Sequence, residues 1–478
     1  MDNLLTSSAE NETPDSVNSD NQPSIKSEQE SNMKKNRSGK KFSFLPEKFY
    51  NPYAVISLRI IVGLLFIISG FAKAIDPWGF IFKIEDYLTA WGMAEPRTIT
   101  LVVAIAISTY EFILGFMTLT GCLKRWAPRL LMLSMIVMLP LTAYIWISHP
   151  VDDCGCFGEL WKISNAATFW KNVFITVALL YLCQFNSRER RGIYRPAIQW
   201  IVVTVVLLYS IIISLYGYNF QPMLDFRPYP VGTNLYSVLT GEAINDSHDI
   251  KMVYRREGKE QEFSIDNLPD STWTFVRRID SEVEANSNFD LGFSILDVDY
   301  DDVTDIAINN EGEMLILVIP EANRVDIAYT YATNEMNKAI NRSGGSMIAL
   351  LAADSEVIER WLDVSMADYP CYIVEDTALK QLSRGGMSMV YLRDGIIEWK
   401  RALSAFDFSK IDALGNDTLS ISSIEIDDRN NFYVITAIAL AILLIIALTQ
   451  EFILRLLPKR QKKQLNLQSE NQDDKNLD

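Results

Sequence analysis

The residues best equipped for chemistry are Cys154 and Cys156, in the run Asp152-Asp153-Cys154-Gly155-Cys156-Phe157-Gly158. Two cysteines one residue apart can close a disulfide only as a small, tight ring, and Gly155 lets the backbone bend that far. Strain of that kind makes such a bond labile. A labile pair beside a membrane suits electron exchange between protein thiols and a membrane carrier such as a quinone. Two other readings stay open. The pair can be a structural disulfide, or part of a metal site recruiting His149 with Asp152 or Asp153. No further Cys or His supplies a closed tetrahedral set, so no metal is expected.

Thiolate is the reactive form of cysteine, and nearby cations favour it. Lys73, at the end of one apolar stretch, and Lys171, about one and a half turns into another, are the candidates for stabilising a thiolate at Cys154 or Cys156. Asp152 and Asp153 act in the opposite sense. Two further charges, Arg59 and Glu111, fall inside apolar stretches. Helical rise over a bilayer core puts them about 9 and about 12 Å from one face, level within a turn. A buried Arg59–Glu111 pair is therefore expected, either as a clamp between helices or as part of a proton or carrier site.

These residues must be positioned by membrane helices. The chain has 478 residues and a net charge of −16, yet its mean hydropathy is +0.07. Apolarity and charge must sit in different places. Stretches near 53–75, 99–119, 127–148, 166–184, 197–217 and 432–454 approach or exceed the length that crosses a bilayer. Basic residues crowd before the first (Lys34 to Lys48), between the second and third (Lys124, Arg125, Arg129), between the fourth and fifth (Arg188, Arg190, Arg191, Arg195) and after the sixth (Lys459, Arg460, Lys462, Lys463). The positive-inside rule then predicts an inner-membrane protein with both termini cytoplasmic and the CGC loop outside. Residues 1–48 form a polar cytoplasmic tail expected to be disordered, 457–478 a second tail, and lipid is a necessary partner. The net negative charge excludes nucleic acid as a partner.

Residues 218–431 hold 38 acidic and 18 basic residues and so carry the negative charge of the whole chain. They are expected to form a periplasmic soluble domain (219–430) between a fifth helix (191–218) and a sixth (431–456). Within it, Met314–Pro320, Ser346–Leu351, Tyr372–Val374, Ser388–Leu392 and Ile396–Lys400 read as strands. The segments 330–342, 354–364 and 376–383 read as helices, and Arg393-Asp394-Gly395 as a hairpin turn. The result is a small α/β sandwich. The loop 76–98, with Trp78 and Trp91 among alternating charges, reads as an amphipathic helix lying at the membrane interface.

The first helix, Leu58-Arg59-Ile60 through Ser69-Gly70-Phe71-Ala72-Lys73 and Asp76-Pro77-Trp78-Gly79, resembles that of DoxX-like membrane proteins. Glu111-Phe112-x-x-Gly115 is similar to their second helix. Asp153-Cys154-Gly155-Cys156-Phe157-Gly158, with Thr168-Phe169-x-Lys171-Asn172, resembles the MauE branch, named for methylamine utilisation. The resemblance covers about residues 50–190, so 49–190 is expected to be a four-helix membrane bundle. It implies a role in forming disulfides of an exported protein, with quinone-linked chemistry, and marks Lys73, Glu111, Cys154, Cys156 and Lys171 as motif positions.

About residues 290–403 resemble a thioredoxin-like fold. The segment after the first strand, Pro320–Asp326, has no cysteine, and Met387 stands where a cis-proline is expected. Cys371 alone, after Pro370, reads as structural. The resemblance thus implies a domain without thiol chemistry of its own, suited to binding or docking. Two functions follow as expectations: a thiol–disulfide oxidoreductase component acting on an exported thiol protein through Cys154 and Cys156, or a non-enzymatic assembly factor with a structural CGC disulfide.

Overall fold

The computed structural model describes residues 46–93, 96–149, 154–189, 192–240, 251–256, 259–264, 274–279, 293–322, 327–407, 413, 420–424 and 426–456. The expected disorder of 1–45 and the tail 457–478 lie outside the described residues, as do Asp152 and Asp153. Two units are distinguished, 1–50 and 51–478. In the first, Glu47–Phe49 makes one turn of 3-10 helix. Everything below concerns the second.

Six helices are long and apolar enough to cross a membrane, as a multi-pass protein requires. They are α1 (Pro52–Ile75), α3 (Arg97–Thr120), α4 (Trp126–Ser148), α5 (Asn165–Phe185), α6 (Gln199–Asn219) and α10 (Asp428–Leu456). The shorter α2 (Pro77–Ala90) follows α1 directly. Local chemistry sets the boundaries. Asn51 caps α1, accepting the Tyr53 N–H at 2.9 Å, and Pro52 occupies the first turn, where no donor is needed. Asp76 ends α1 and caps α2 through the Gly79 N–H at 3.0 Å.

The closest helix pair is α1 with α3, and small residues allow it. A Cβ added at Gly63 would lie 2.8 Å from Leu119, one at Gly115 2.7 Å from the Ile67 nitrogen, and one at Gly70 2.4 Å from the Phe112 nitrogen. These facing positions fix an antiparallel register. Glu111 falls level with Phe71, between Ser69 and Lys73, and Arg59 falls level with the turn after α3. Ile75 ends α1 level with about Ile107, so α3 runs on beyond it by about ten residues, or about 15 Å. Against that overhang α2 packs Trp78, Ile81 and Phe82 on Leu101, Ala104 and Tyr218. Trp78 is buried in this contact. It stacks on Tyr218 with centroids 4.9 Å apart and donates its indole N–H to the Tyr218 carbonyl.

Between α6 and α10 the chain leaves the bundle. Strands β1 (Lys251–Arg256), β2 (Lys259–Ser264) and β3 (Thr274–Ile279) form an antiparallel sheet in the order β2-β1-β3. A mixed sheet domain follows. Its strands are β4 (Glu313–Ile319), β5 (Ser346–Leu351), β6 (Cys371–Ile373), β7 (Ser388–Arg393) and β8 (Ile396–Ala402), in the order β6-β5-β4-β7-β8. The first three are parallel, and β7 and β8 add antiparallel through the Asp394-Gly395 turn, both residues at positive φ. Helices α7 (Thr330–Arg342), α8 (Ser355–Ser365) and α9 (Asp376–Leu382) complete it. Because β4 and β5 are apolar at nearly every position, both faces are buried. Leu315, Leu317 and Ile319 pack with α7 and α8 residues, while Met314, Ile316 and Val318 pack with α9 residues. The domain rejoins the bundle where Arg401 pairs with Asp428 at 3.1 Å, at the start of α10.

Candidate functional site

Cys154 and Cys156 sit in the connection between α4 and α5, both about nine-tenths buried. The thiols are free, with the two sulfurs 2.9 Å apart. Gly155 takes φ +64°, and the Gly158 N–H returns to the Gly155 carbonyl at 3.1 Å, so the run closes a tight turn. Leu65, Met138, Leu141, Ile145, Phe157 and Tyr87 wall the sulfurs in. The space left beside them is about 10 Å³, room for about one water.

Polar contacts fix the backbone of this turn from two helices. The Tyr87 hydroxyl of α2 donates to the Cys154 carbonyl at 3.0 Å. The Ser69 hydroxyl of α1 lies 2.7 Å from the Cys156 carbonyl and 2.8 Å from Glu111 Oε2. Lys73 Nζ donates to Glu111 Oε2 at 2.6 Å and to Ser69 Oγ at 3.0 Å. Lys171 of α5 stands over the Phe157 ring, 4.4 Å from its centroid. One thiol is thereby favoured as the anion. The Cys154 thiol donating to Cys156, with Lys171 and Lys73 nearby, holds Cys156 below the usual thiol range against the pull of burial. Cys154, which keeps the shared proton and is itself buried, is pushed up.

Of the residues expected from sequence, the structure brings Cys154, Cys156, Lys73, Lys171 and Glu111 together and leaves Arg59 out. The expected Arg59–Glu111 pair does not form. Arg59 donates from Nε to the Thr118 carbonyl at 3.2 Å, at the far end of α3, while Glu111 is taken by Lys73. The reason is stagger: equal depths assume helices ending on one plane, and α3 overshoots α1. Ser69 escaped the sequence reading. Its signal is the spacing of four from Lys73, which puts both on one face of α1. The metal reading turns on Asp152 and Asp153, which lie outside the described residues.

The sheet domain reaches this site at two points. Arg384, between α9 and β7, is fully buried and grips Asp76, with Nε 3.1 Å from Oδ1 and Nη2 2.7 Å from Oδ2. Glu159, three residues past Cys156, accepts from Gln381 Nε2 at 3.3 Å and lies 3.6 Å from Arg384. Arg97 of α3 bridges Glu85 of α2, at 3.0 Å, and Glu321 just after β4. The loops at the ends of β4 and α9 thus face the bundle. Cys371 takes no part: it opens β6, and burial pushes its thiol up to about 12.

Comparison with known proteins gives no match to any curated protein or solved structure. Residues 249–285 match a domain of unknown function, DUF8463. Residues 51–184, which run from the start of α1 almost to the end of α5 and contain the whole thiol site, match the family model described as methylamine utilisation protein MauE.

Proposed function

We propose that this is a membrane thiol–disulfide redox component that exchanges electrons with an exported protein through Cys154 and Cys156. The observation that carries the reading is the paired thiols, with sulfurs 2.9 Å apart in a buried turn and Lys73 and Lys171 nearby, an arrangement that favours one of them as thiolate. In the exchange, a partner thiolate attacks one sulfur of the oxidised pair and the other sulfur leaves as thiolate. The partner's second thiolate then resolves the mixed disulfide. The partner loses two electrons and two protons, and the pair returns to the free thiols seen here.

A membrane quinone, the acceptor expected from the resemblance, would take the two electrons and two protons that restore the disulfide. The test is thiol trapping in cells: brief reduction, maleimide labelling over time, and comparison of wild type with Cys154→Ser and Cys156→Ser. The reading expects the pair to cycle and a single-Cys variant to hold a mixed disulfide with a partner. A pair that never cycles, with a double variant that keeps function, defeats it.

A second reading rests on the sheet domain. It carries no cysteine pair after β4 and is docked on the bundle through Arg384 and Glu321. That favours a non-enzymatic assembly factor in which the CGC turn is structural.

A further inference from the structure

We propose that α2 is a lid over the thiol pair and that Arg384 of the sheet domain is its latch. No catalytic reading above uses α2, yet it lies directly across the CGC turn. Tyr87 holds the Cys154 carbonyl, and a Cβ added at Gly155 would lie 3.1 Å from Lys83 Cγ. Tyr87 also packs against the cluster that holds both cysteines, so α2 covers the turn from one side. That helix begins at Asp76-Pro77, a break between two helices where a rigid-body swing costs no helical hydrogen bonds within α2.

Besides its packing on α3 and Tyr218, α2 is held by the sheet domain. Arg384 grips Asp76 at the hinge. Lys380 lies 4.8 Å and Arg384 5.7 Å from the centroid of Phe82, midway along α2. Arg97 ties Glu85 to Glu321. Gln221 fixes the latch itself, accepting the Arg384 N–H at 3.2 Å and donating to its carbonyl at 2.7 Å. Asp76 is the nearest charged partner of this deeply buried guanidinium, with Glu159 farther off at 3.6 Å, so losing Asp76 removes its closest compensation. Drawing the sheet domain away leaves α2 held only by its packing on α3 and Tyr218, and a swing about Asp76-Pro77 then makes the thiols reachable by a protein. The inference goes beyond the redox reading, because it concerns access alone.

The test is the rate at which a bulky, membrane-impermeant maleimide labels Cys154 and Cys156 in reduced membranes holding the full chain, read by mass spectrometry of the peptides. Two variants loosen the latch. Arg384→Gln removes the cation. Asp76→Asn leaves the sheet domain's sequence intact and keeps an oxygen to cap α2. Both are expected to speed labelling of the pair by about tenfold or more, because the open state gains population, while Cys371 labels at the wild-type rate. Unchanged labelling of the pair in Asp76→Asn overturns the proposal. So does a rise at Cys371 that matches the rise at the pair, which would mean loss of fold. The redox reading fails on different evidence, a pair that is accessible and never cycles.

Discussion

Arg384 and Asp76 stand 308 residues apart in the chain and meet as a two-pronged ion pair, with Nη2 2.7 Å from Oδ2 and Nε 3.1 Å from Oδ1. Both are buried, so neither has water as an alternative partner. The pair joins a loop of the sheet domain to the junction of α1 and α2, and the CGC turn hangs on the same junction through Glu159.

Breaking this pair from one side is expected to be costly. Arg384→Gln leaves a buried carboxylate alone, and loss of one partner of a buried pair costs about 3–5 kcal/mol. The double variant Asp76→Asn with Arg384→Gln should lose less than the two singles summed. Thermal unfolding of the four proteins in detergent gives the coupling, and additive losses would show that the pair is not an energetic unit.

A second cycle separates the two candidate partners of Glu111. Lys73 and Glu111 touch at 2.6 Å and should couple by about 0.5–3 kcal/mol in Lys73→Met with Glu111→Gln. Arg59 sits at the other end of α3, and Arg59→Gln with Glu111→Gln should be additive within about 0.5 kcal/mol. Coupling of Arg59 and not Lys73 would overturn the helix register described above.

Docking of the sheet domain should weaken in acid. Burial works to raise the Glu159 carboxyl, but Arg384 and Lys162 hold it below its ordinary value. Burial likewise opposes ionisation of Asp225, and Arg227 and Lys400 overcome it. A carboxylate lowered on folding contributes stability that is full above its unfolded value, about 4, and is lost as pH falls through its folded value. Limited proteolysis between pH 7 and pH 3 should show release only below about pH 4. Release as pH rises from 7 would contradict the assignment.

The thiolate at Cys156 makes a kinetic prediction. Its reaction with iodoacetamide should persist at pH values where an ordinary thiol, titrating near 8.5, is protonated and slow. Lys171→Gln and Cys154→Ala each remove an influence that favours the anion, so each should move the alkylation profile to higher pH. A profile unmoved by both would remove the electrostatic basis for the site.

Much of this was written in local sequence. Spans announce themselves by length, and β4, β5, β7 and β8 by apolar runs between Gly and Pro, because each pattern reports burial within one element. The CGC turn and the two lysines were legible for the same reason. What failed was anything that depended on how elements slide past one another. Helix ends set on one plane pair Glu111 with Arg59, and only the contacts of Gly63, Gly70 and Gly115 reveal the stagger. Nothing local announces Tyr218 as the stacking partner of Trp78. The Arg384–Asp76 pair and the closure of the CGC turn by α2 join segments that no window along the chain contains together.

The insertion of the sheet domain between α6 and α10 has a thermodynamic consequence. Tethered at both ends, the domain meets the bundle as an intramolecular ligand, at an effective concentration on the order of millimolar for a short flexible connection. Its docking is then independent of how much of the protein the membrane holds. A separate protein seeking the same surface must outcompete a neighbour that never diffuses away. Modest individual contacts at Asp76, Phe82 and Glu159 suffice to keep the domain seated.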